Sequence, residues 1–300
     1  MLPQDGQTAS KKDLNLKCQL TKMSILITGS AGFIGFHLAK KILNKKSKVI
    51  GIDNINNYYD INLKRDRIKN LKKYKNFFFY KIDLCEYSKL NNIIKKYKIK
   101  YIIHLAAQAG VRYSIKNPKI FFKSNLEGFF NILELSRHNK IKHLIFASTS
   151  SVYGNNKKFP LKEDDRTDNP LSFYAATKKS NEVMAHSYSY IYKLPCTGVR
   201  FFTVYGPFGR PDMALFKFTQ NILNNKSIEL FNKGNHLRDF TYVDDIVEGI
   251  FSLINKKSQN SIPYDIFNIG NGSSKQLKEY INYIEINLRK TVKIKKLPLQ

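Results

Sequence analysis

The sequence is poor in cysteine, in acidic residues and in long apolar runs, and each shortage excludes a class of protein. Its three cysteines, Cys18, Cys85 and Cys196, have neither paired nor metal-ligand spacing. This argues against a disulfide framework and a metal site and fits a reducing cytoplasm. No apolar run reaches the ~18 residues that a membrane helix needs. We therefore expect a cytoplasmic protein without metal ligands and without a membrane span.

Acidic residues are outnumbered by basic ones, 23 to 51, so the formal net charge is +28. A strongly basic chain can attract nucleic acid or an acidic membrane surface. Only nine of the 51 basic residues are arginine, however, and the lysines are scattered without an arginine-rich or aromatic-interleaved stripe. Specific nucleic-acid binding is therefore not expected. Attraction of an anionic nucleotide is the simpler use of this charge.

Short apolar runs alternate with helical stretches over residues 23–195. Near-continuous apolar strands joined by helices indicate an α/β fold, a Rossmann-type doubly wound parallel sheet. After about residue 195 the elements become shorter, and residues 196–300 are expected to form mainly a smaller C-terminal substrate-binding domain. The polar residues 1–22 lack the apolar centre of a signal peptide and are expected to be a disordered extension, a tag or a misassigned start. The predicted strands cover residues 24–28, 48–53, 77–82, 101–105 and 144–147.

A glycine-rich turn leaves the first predicted strand and enters the first helix. Its glycines allow a tight turn, close approach of the backbone to a pyrophosphate and close helix packing, while the helix N-terminus faces the anion. Asp53 closes the second strand 18 residues after Gly35, where its carboxylate can accept hydrogen bonds from ribose hydroxyls and disfavour a 2′-phosphate. This pattern predicts a dinucleotide site that prefers NAD to NADP. The turn supplies Gly29, Gly32, Phe33, Ile34 and Gly35.

Two further strand ends are expected at the same site. Asp83 and Leu84 follow the third strand, where Asp83 either meets the adenine or is an exposed loop residue. Small residues after the fourth strand let a cofactor lie against the backbone. They belong to the segment Leu105, Ala106 and Ala107. His104, which precedes them, is predicted to be a buried, hydrogen-bonded strand residue and not a catalyst.

Tyr174 and Lys178 are four residues apart, so on a helix they share a face and lie one turn from each other. An ammonium group beside a phenol favours the phenolate, and we expect Lys178 to lower the pKa of Tyr174 from its usual value near ~10. Tyr174 is thus a candidate general base. Hydroxyl groups of residues 148–151 follow the fifth strand at the same edge of the sheet, where they either bind a sugar or cap a turn.

These segments together resemble the extended short-chain dehydrogenase/reductase family, also called the NAD-dependent epimerase/dehydratase family, and within it the nucleotide-sugar epimerases. The resemblance covers residues 23–300 and is strongest to members that act on UDP-glucuronate. Family sequences normally continue past the position of Gln300, which implies that part of the substrate domain is absent, and residues 1–22 have no counterpart. The resemblance is carried by residues 104–114, 174–182, 200–214 and 238–246.

The resemblance implies reversible C4 epimerisation of UDP-glucuronate to UDP-galacturonate, through a 4-keto sugar and with tightly bound NAD. Tyr174 would exchange the proton of the C4 hydroxyl, Lys178 would hold the nicotinamide ribose, and Thr149 would hydrogen-bond the C4 oxygen. A surface salt bridge is an equal alternative for Arg112, and core packing is one for Phe231. Substrate contacts are implied for Arg112, Ser150, Ser151, Thr203, Arg210, Phe231 and Arg238.

Related activities are less compatible with these residues. Sugar 4,6-dehydratases of the family carry Asp-Glu where this chain has Ser150-Ser151, and decarboxylases usually carry Glu at the position of Ser151. UDP-glucose and UDP-N-acetylglucosamine 4-epimerases remain alternatives, as does an inactive member that binds nucleotides or RNA.

The resemblance also implies a homodimer formed through a four-helix bundle, with helices at about residues 115–138 and 172–192. The phenylalanines at 121, 122, 129 and 130 pack either in that interface or in the core.

Overall fold

The computed structural model of the protein describes residues 23–156, 158–231, 234 and 237–297. The predicted disorder of residues 1–22 lies outside these ranges. The strands are β1 (Ser24–Thr28), β2 (Lys48–Asp53), β3 (Phe77–Lys81), β4 (Tyr101–His104), β5 (His143–Thr149), β6 (Cys196–Phe201), β7 (Thr203–Tyr205), β8 (Ile228–Phe231), β9 (Leu237–Tyr242), β10 (Tyr264–Ile269), β11 (Ser274–Gln276) and β12 (Ile294–Leu297).

Helices connect these strands and cover both faces of the main sheet. A single π-helical segment, Phe122–Glu127, and a 3₁₀ turn, Ser150–Tyr153, lie beside the site described below. The α-helices of the described residues are α1 (Phe33–Asn44), α2 (Ile61–Leu71), α3 (Tyr87–Lys96), α4 (Val111–Lys116), α5 (Pro118–Phe121), α6 (Gly128–His138), α7 (Phe173–Tyr192), α8 (Ala214–Leu223), α9 (Val243–Leu253) and α10 (Leu277–Leu288).

The main sheet has seven strands in the order β10-β6-β5-β4-β1-β2-β3, and every pair of neighbours is parallel. Its central strands are apolar on both faces because helices bury both faces. One core cluster packs α1 and α9 against the sheet, and the other packs α3 and α6 against the opposite face. The predicted doubly wound α/β fold is confirmed.

The sheet order places the strand ends that the sequence singles out beside each other. β1 lies between β4 and β2, so the chain reverses direction across the sheet at this point. Ligands of open α/β sheets bind at such a switch point, outside the carboxyl ends of the strands. The glycine turn after β1, the end of β2 and the end of β4 therefore border one crevice.

The C-terminal part builds two small sheets, β11-β9-β7 and β12-β8, with a third apolar cluster between α8 and α10. Two strands after residue 195, β6 and β10, join the main sheet, and α9 packs on α1. The domain boundary at residue 195 stays a prediction. Within the described residues, no helix is long and apolar enough to span a bilayer, and no cluster of three metal-ligating side chains occurs.

Candidate active site

A cleft of about 250 Å³ opens at the carboxyl ends of β1, β2, β3 and β4. The structure brings all the predicted cofactor residues to its walls, although they come from five separate segments of the chain. Their roles in binding remain predictions. The lining includes Gly29, Gly32, Phe33, Ile34, Gly35, Asp53, Asp83, Leu84, Leu105, Ala106, Ala107, Tyr174 and Lys178.

Two glycines of the turn occupy places where no side chain fits. Gly29 has a φ of +76°, and a Cβ on it would lie 2.7 Å from the backbone nitrogen of Ala106. A Cβ on Gly35 would lie 2.1 Å from the carbonyl oxygen of Gly29. The turn therefore packs backbone against backbone and leaves the N-terminus of α1 open to the cleft. This cradle fits the diphosphate of a dinucleotide.

Asp53 stands at the end of β2 and faces the same cleft. Its Oδ2 accepts a hydrogen bond from the amide of Ala31 at 3.1 Å, and its Oδ1 accepts one from the amide of Ile55 at 2.8 Å. Burial raises the pKa of this carboxyl, against the opposing effects of the Ile55 amide and of nearby Lys64. The two amides fix the orientation of the Asp53 carboxylate, and its position in the cleft fits the predicted contact with a ribose.

Asp83 is half-buried in the wall of the cleft. Burial favours its neutral form, but hydrogen bonds from the Cys85 amide at 3.0 Å and from Asn54 Nδ2 at 2.8 Å outweigh it and lower the pKa of the carboxyl. Asp83 is therefore not an exposed loop residue, and its contact with the adenine remains a prediction. His104 is buried with its Nδ1 2.9 Å from Thr28 Oγ1, as predicted.

The helix that carries Tyr174 and Lys178 begins at a side-chain cap. Ser172 Oγ accepts a hydrogen bond from the amide of Ala175 at 3.1 Å. Ser172 is thus the N-cap of α7, and the helix begins at the next residue, Phe173. Tyr174 thus lies in the first turn and Lys178 in the second.

The π-helical segment locks this helix in place. Asn125 Nδ2 donates to Thr177 Oγ1 at 3.0 Å, and Asn181 Nδ2 donates to the Asn125 carbonyl at 2.7 Å. Asn125 also bonds both backbone groups of Gln108, at 2.8 and 3.0 Å, and so ties α7 to the end of β4. π-Helical turns often occur at functional sites. Neither the segment nor Asn125 was predicted from the sequence.

The predicted lowering of the Tyr174 pKa is wrong for this structure, in which the pKa is raised. Burial raises the pKa of Tyr174, because a phenolate without water is costly. A hydrogen bond with Thr149 and the charge of Arg210 oppose that rise. Two groups that favour the phenolate therefore come from the end of β5 and from the loop after β7.

Lys178 is itself buried, with 2% of its surface exposed. Burial lowers the pKa of its ammonium group to about 8, although the charge of Glu182 one turn further along α7 raises it. The ammonium is thus held in the wall of the cleft at a cost in folding free energy. Such a cost is common at positions selected for binding or catalysis.

Replacing Lys178 by methionine is expected to stabilise the ligand-free protein at pH 7. The fall of the pKa from 10.5 to about 8 corresponds to roughly 3 kcal/mol, which the methionine variant avoids. The folded pKa lies below the unfolded one, so the cost is complete below pH 8 and fades as the pH rises towards 10.5. Urea unfolding at pH 7 and 9.5 measures the difference, with the exposed Lys95→Met as control. An equal or lower stability of Lys178→Met at pH 7 would contradict the assignment.

A second, wider cavity of about 2630 Å³ lies between the sheet edge and the C-terminal elements. It shares eight lining residues with the cleft, and Thr149, Tyr174 and Arg210 are among those that stand where the two spaces meet. The side chain of Phe231, at the end of β8, lies outside the described part of the structure, and its contact remains a prediction. The predicted substrate residues that line the cavity are Arg112, Ser150, Ser151, Thr203, Arg210 and Arg238.

Arg210 is oriented by partners that the sequence did not reveal. Its Nε and Nη2 donate to the two carboxylate oxygens of Asp212 at 3.0 and 2.5 Å, and Tyr58 Oη donates to Asp212 Oδ2 at 3.0 Å. Tyr113 packs on Tyr58 with ring centroids 4.7 Å apart. The spacing Arg-Pro-Asp in a Gly/Pro loop is the only local signal of this pair, and Tyr58 comes from a segment 152 residues earlier.

A buried ion pair between Glu182 and Arg200 supports the hydroxyl strip, residues 148–151 at the end of β5. Glu182 accepts hydrogen bonds from Arg200 Nε and Nη2, each at 2.9 Å, and from Ser148 Oγ at 2.6 Å. Arg200 also donates to Tyr153 Oη at 2.8 Å. Because Ser148 and Tyr153 flank residues 149–151, this network fixes both ends of the strip. In sequence these charges resemble surface residues.

The sequence matches the family model "NAD dependent epimerase/dehydratase family" over residues 25–270. The chain belongs to this family. Protein CapI of Staphylococcus aureus is 52% identical over 292 residues, which cover 93% of this chain and 87% of that protein. The probable UDP-glucuronate 4-epimerase of Rhizobium meliloti (strain 1021) is 44% identical over 293 residues, with coverage of 93% and 86%.

Solved structures agree with this assignment. The crystal structure of UDP-glucuronic acid 4-epimerase from Bacillus cereus, in complex with UDP-glucuronic acid and NAD, matches with a TM-score of 0.86 at 34% identity, covering 92% of this chain and 87% of that one. UDP-glucose 4-epimerase from Thermotoga maritima, solved with UDP-glucose, matches with a TM-score of 0.83 at 30% identity, with coverage of 93% and 86%. The predicted family membership is confirmed.

Proposed function

We propose that the protein is a UDP-glucuronate 4-epimerase that interconverts UDP-glucuronate and UDP-galacturonate with tightly bound NAD. One observation carries the proposal: the dinucleotide cleft and the wider cavity meet at Tyr174, Thr149 and Arg210. A cofactor in the cleft and a sugar in the cavity would therefore share one boundary, at which a phenol and a hydroxyl hydrogen-bond each other. The relatives named UDP-glucuronate 4-epimerase support the choice of substrate.

The chain's own residues hold and move the proton of the reaction. NAD supplies the acceptor, and later the donor, of the hydrogen on C4. Tyr174, as phenolate, removes the proton of the C4 hydroxyl and returns it after the sugar has turned. Thr149 hydrogen-bonds the phenol and steadies the C4 oxygen, and Lys178 holds the nicotinamide ribose. Tyr174 is half-buried where the cleft and the cavity meet, and its phenol holds the proton between the two half-reactions.

The uronate carboxylate needs hydrogen-bond donors when it leaves water. Ser150, Ser151 and Thr203 line the cavity beside Tyr174 and supply neutral donors, and Arg210 supplies a charged one. Neutral donors suit a 4-keto uronate, which is a β-keto acid and tends to lose CO₂. Neither the Asp-Glu pair of the dehydratases nor the Glu of the decarboxylases is present at 150–151.

Arg238 is placed to bind the diphosphate of the sugar nucleotide. It projects from β9 into the wider cavity, and burial lowers the pKa of its guanidinium, which remains charged at neutral pH. Its Nη1 donates to the adjacent Leu237 carbonyl at 2.9 Å. Arg112, after β4, also lines the cavity.

The proposal is tested by incubating the protein with UDP-glucuronate without added NAD. We expect UDP-galacturonate to appear, because NAD is retained from the cell and no net oxidation occurs. UDP-glucose and UDP-N-acetylglucosamine are the matched alternatives, since they lack the C6 carboxylate. Faster turnover of either neutral sugar would assign the alternative substrate. Absence of turnover with all three, in protein that contains NAD, would favour an inactive binding protein.

We further propose that two copies assemble through a four-helix bundle formed by α7 and the α5–α6 region, in the cytoplasm. Of the four phenylalanines singled out in the sequence, Phe121 and Phe129 are buried, whereas Phe122 and Phe130 are 55% and 47% exposed. Val183 and Ile191 of α7 are 57% and 59% exposed. These apolar side chains give both helices an uncovered face. Sedimentation velocity measures the resulting mass.

A further inference from the structure

Arg67 on α2 is fully buried between three segments of the site. Its Nη1 donates to the carbonyl of Ala31 at 2.8 Å and to Tyr59 Oη at 2.7 Å. Its Nη2 donates to the carbonyls of Phe208 and Gly209 at 2.6 and 3.2 Å. One guanidinium thus bridges the glycine turn, the segment after β2 and the loop between β7 and α8.

Each bridged segment carries part of the proposed site. Ala31 belongs to the glycine turn, and its amide holds Asp53. The loop of residues 206–213 carries Arg210, which lines both cavities. Two further hydrogen bonds reach the same loop. Tyr58 Oη donates to Asp212, and His37 Nε2 of α1 lies 2.8 Å from the Pro207 carbonyl. Among these residues, only Arg67 hydrogen-bonds all three segments.

The loop has a conformation that needs external support. Phe208 has a φ of +53°, a left-handed backbone conformation that costs a residue with a Cβ roughly 1–2 kcal/mol. The carbonyl of this same residue accepts the shorter of the two Nη2 bonds. Without that bond the loop can relax Phe208 to a negative φ, which would move the carbonyl and Arg210 two residues later. The bond from Arg67 therefore stabilises the observed state of the loop over such a relaxed state.

Lysine cannot reproduce this arrangement. The guanidinium presents planar, forked donors to four oxygen atoms that diverge from it, whereas an ammonium group is a compact point charge on a flexible stem. All four acceptors are neutral oxygens, so the positive charge itself is not neutralised by these bonds. The function of Arg67 thus depends on the shape of its donor set.

We propose that Arg67 is a positioning residue that couples dinucleotide binding in the cleft to sugar-nucleotide binding in the cavity. A dinucleotide on the glycine turn fixes Ala31, and through Arg67 it favours the loop state that presents Arg210 to the uronate. A sugar nucleotide on Arg210 favours the same loop state. It thereby raises the affinity of the glycine turn for the dinucleotide, because coupling between two sites is reciprocal. This inference rests on the proposed substrate.

The test is a binding cycle in a Tyr174→Phe background, in which turnover is blocked. The affinity for NAD is measured calorimetrically with and without saturating UDP-glucuronate, for intact Arg67 and for Arg67→Lys. The neighbouring Arg65→Lys, an exposed position on the same helix, is the matched control. Affinity is fitted separately from the active fraction, so partial unfolding does not alter the ratio. Arg67→Met serves as a second variant.

With intact Arg67, and in Arg65→Lys, we expect UDP-glucuronate to tighten NAD binding by on the order of tenfold. In Arg67→Lys and Arg67→Met the factor should fall close to one. An equal factor in all proteins, or no coupling with intact Arg67, would overturn the inference while leaving the proposed function in place. If UDP-glucuronate fails to bind the protein with intact Arg67, the proposed function itself is wrong, and the inference falls with it.

Discussion

Tyr174→Phe is expected to lower kcat by roughly three orders of magnitude while the affinities for NAD and UDP-glucuronate stay within about threefold. The phenol is half-buried at the boundary of the two cavities and hydrogen-bonded to Thr149, so its removal deletes the proton acceptor while the rest of the side chain still fills the site. Phenylalanine fills nearly the same volume, which keeps packing losses small. Initial rates with UDP-glucuronate, together with calorimetric affinities, measure the two effects separately.

The matched control is Tyr190→Phe, the same change on the same helix at a side chain that is 60% exposed. We expect wild-type rates for this variant. If Tyr174→Phe turned over at a rate near that of the wild type, the phenol would not be the proton acceptor. A loss of NAD binding in Tyr174→Phe would instead assign the residue to cofactor binding, and the rate alone would then carry no information on catalysis.

Gly35→Ala is expected to abolish NAD retention and to destabilise the protein by about 3 kcal/mol. The added Cβ would lie 2.1 Å from the Gly29 carbonyl oxygen, a backbone atom that no rotamer change can move. Helix α1 would have to shift away from the turn, which opens the cradle proposed for the diphosphate. We expect the affinity for NAD to fall at least about a hundredfold, equivalent to about 3 kcal/mol.

Gly249→Ala on α9 is the control for this substitution. Its Cβ would meet the Cδ1 atom of Ile269 at 3.0 Å, the end of a flexible side chain, and alanine favours a helix. Its stability should change by less than about 1 kcal/mol. Chemical unfolding and the ratio of NAD to protein after gel filtration measure both variants. Full NAD occupancy in Gly35→Ala would show that the turn can open without losing the cofactor.

The local patterns of the sequence predicted the first four strands of the main sheet and the motifs at their ends. β1 and β2 have the predicted bounds, and β3 and β4 end one residue before the predicted bounds. The glycine turn, Asp53 and the Tyr174–Lys178 spacing are local signals, because each depends on residues within one turn, strand end or helix face. Parallel strands then bring their carboxyl ends to one edge, so the cofactor residues meet in one cleft.

Long-range polar contacts were not predictable in the same way. Arg67 lies 141 residues from Phe208 in sequence, yet the two residues are hydrogen-bonded. Glu182 and Arg200 resemble surface charges in the sequence, but the fold buries them as an ion pair. The assignment of Phe121 and Phe129 to the core, and of Phe122 and Phe130 to the surface, likewise depended on which side of the helices faces the sheet. Such choices depend on packing between distant elements, which periodicity does not encode.

The sequence by itself determined the sheet, the dinucleotide turn and the helix face shared by Tyr174 and Lys178, because hydrophobic period, glycine positions and helical spacing act over a few residues. Only the tertiary structure decided the electrostatics of the site. A charge affects its neighbour according to burial and distance, and here burial raises the Tyr174 pKa while Thr149 and Arg210 oppose the rise. The same packing placed Arg67 between the glycine turn and the loop of residues 206–213, where one buried guanidinium hydrogen-bonds both.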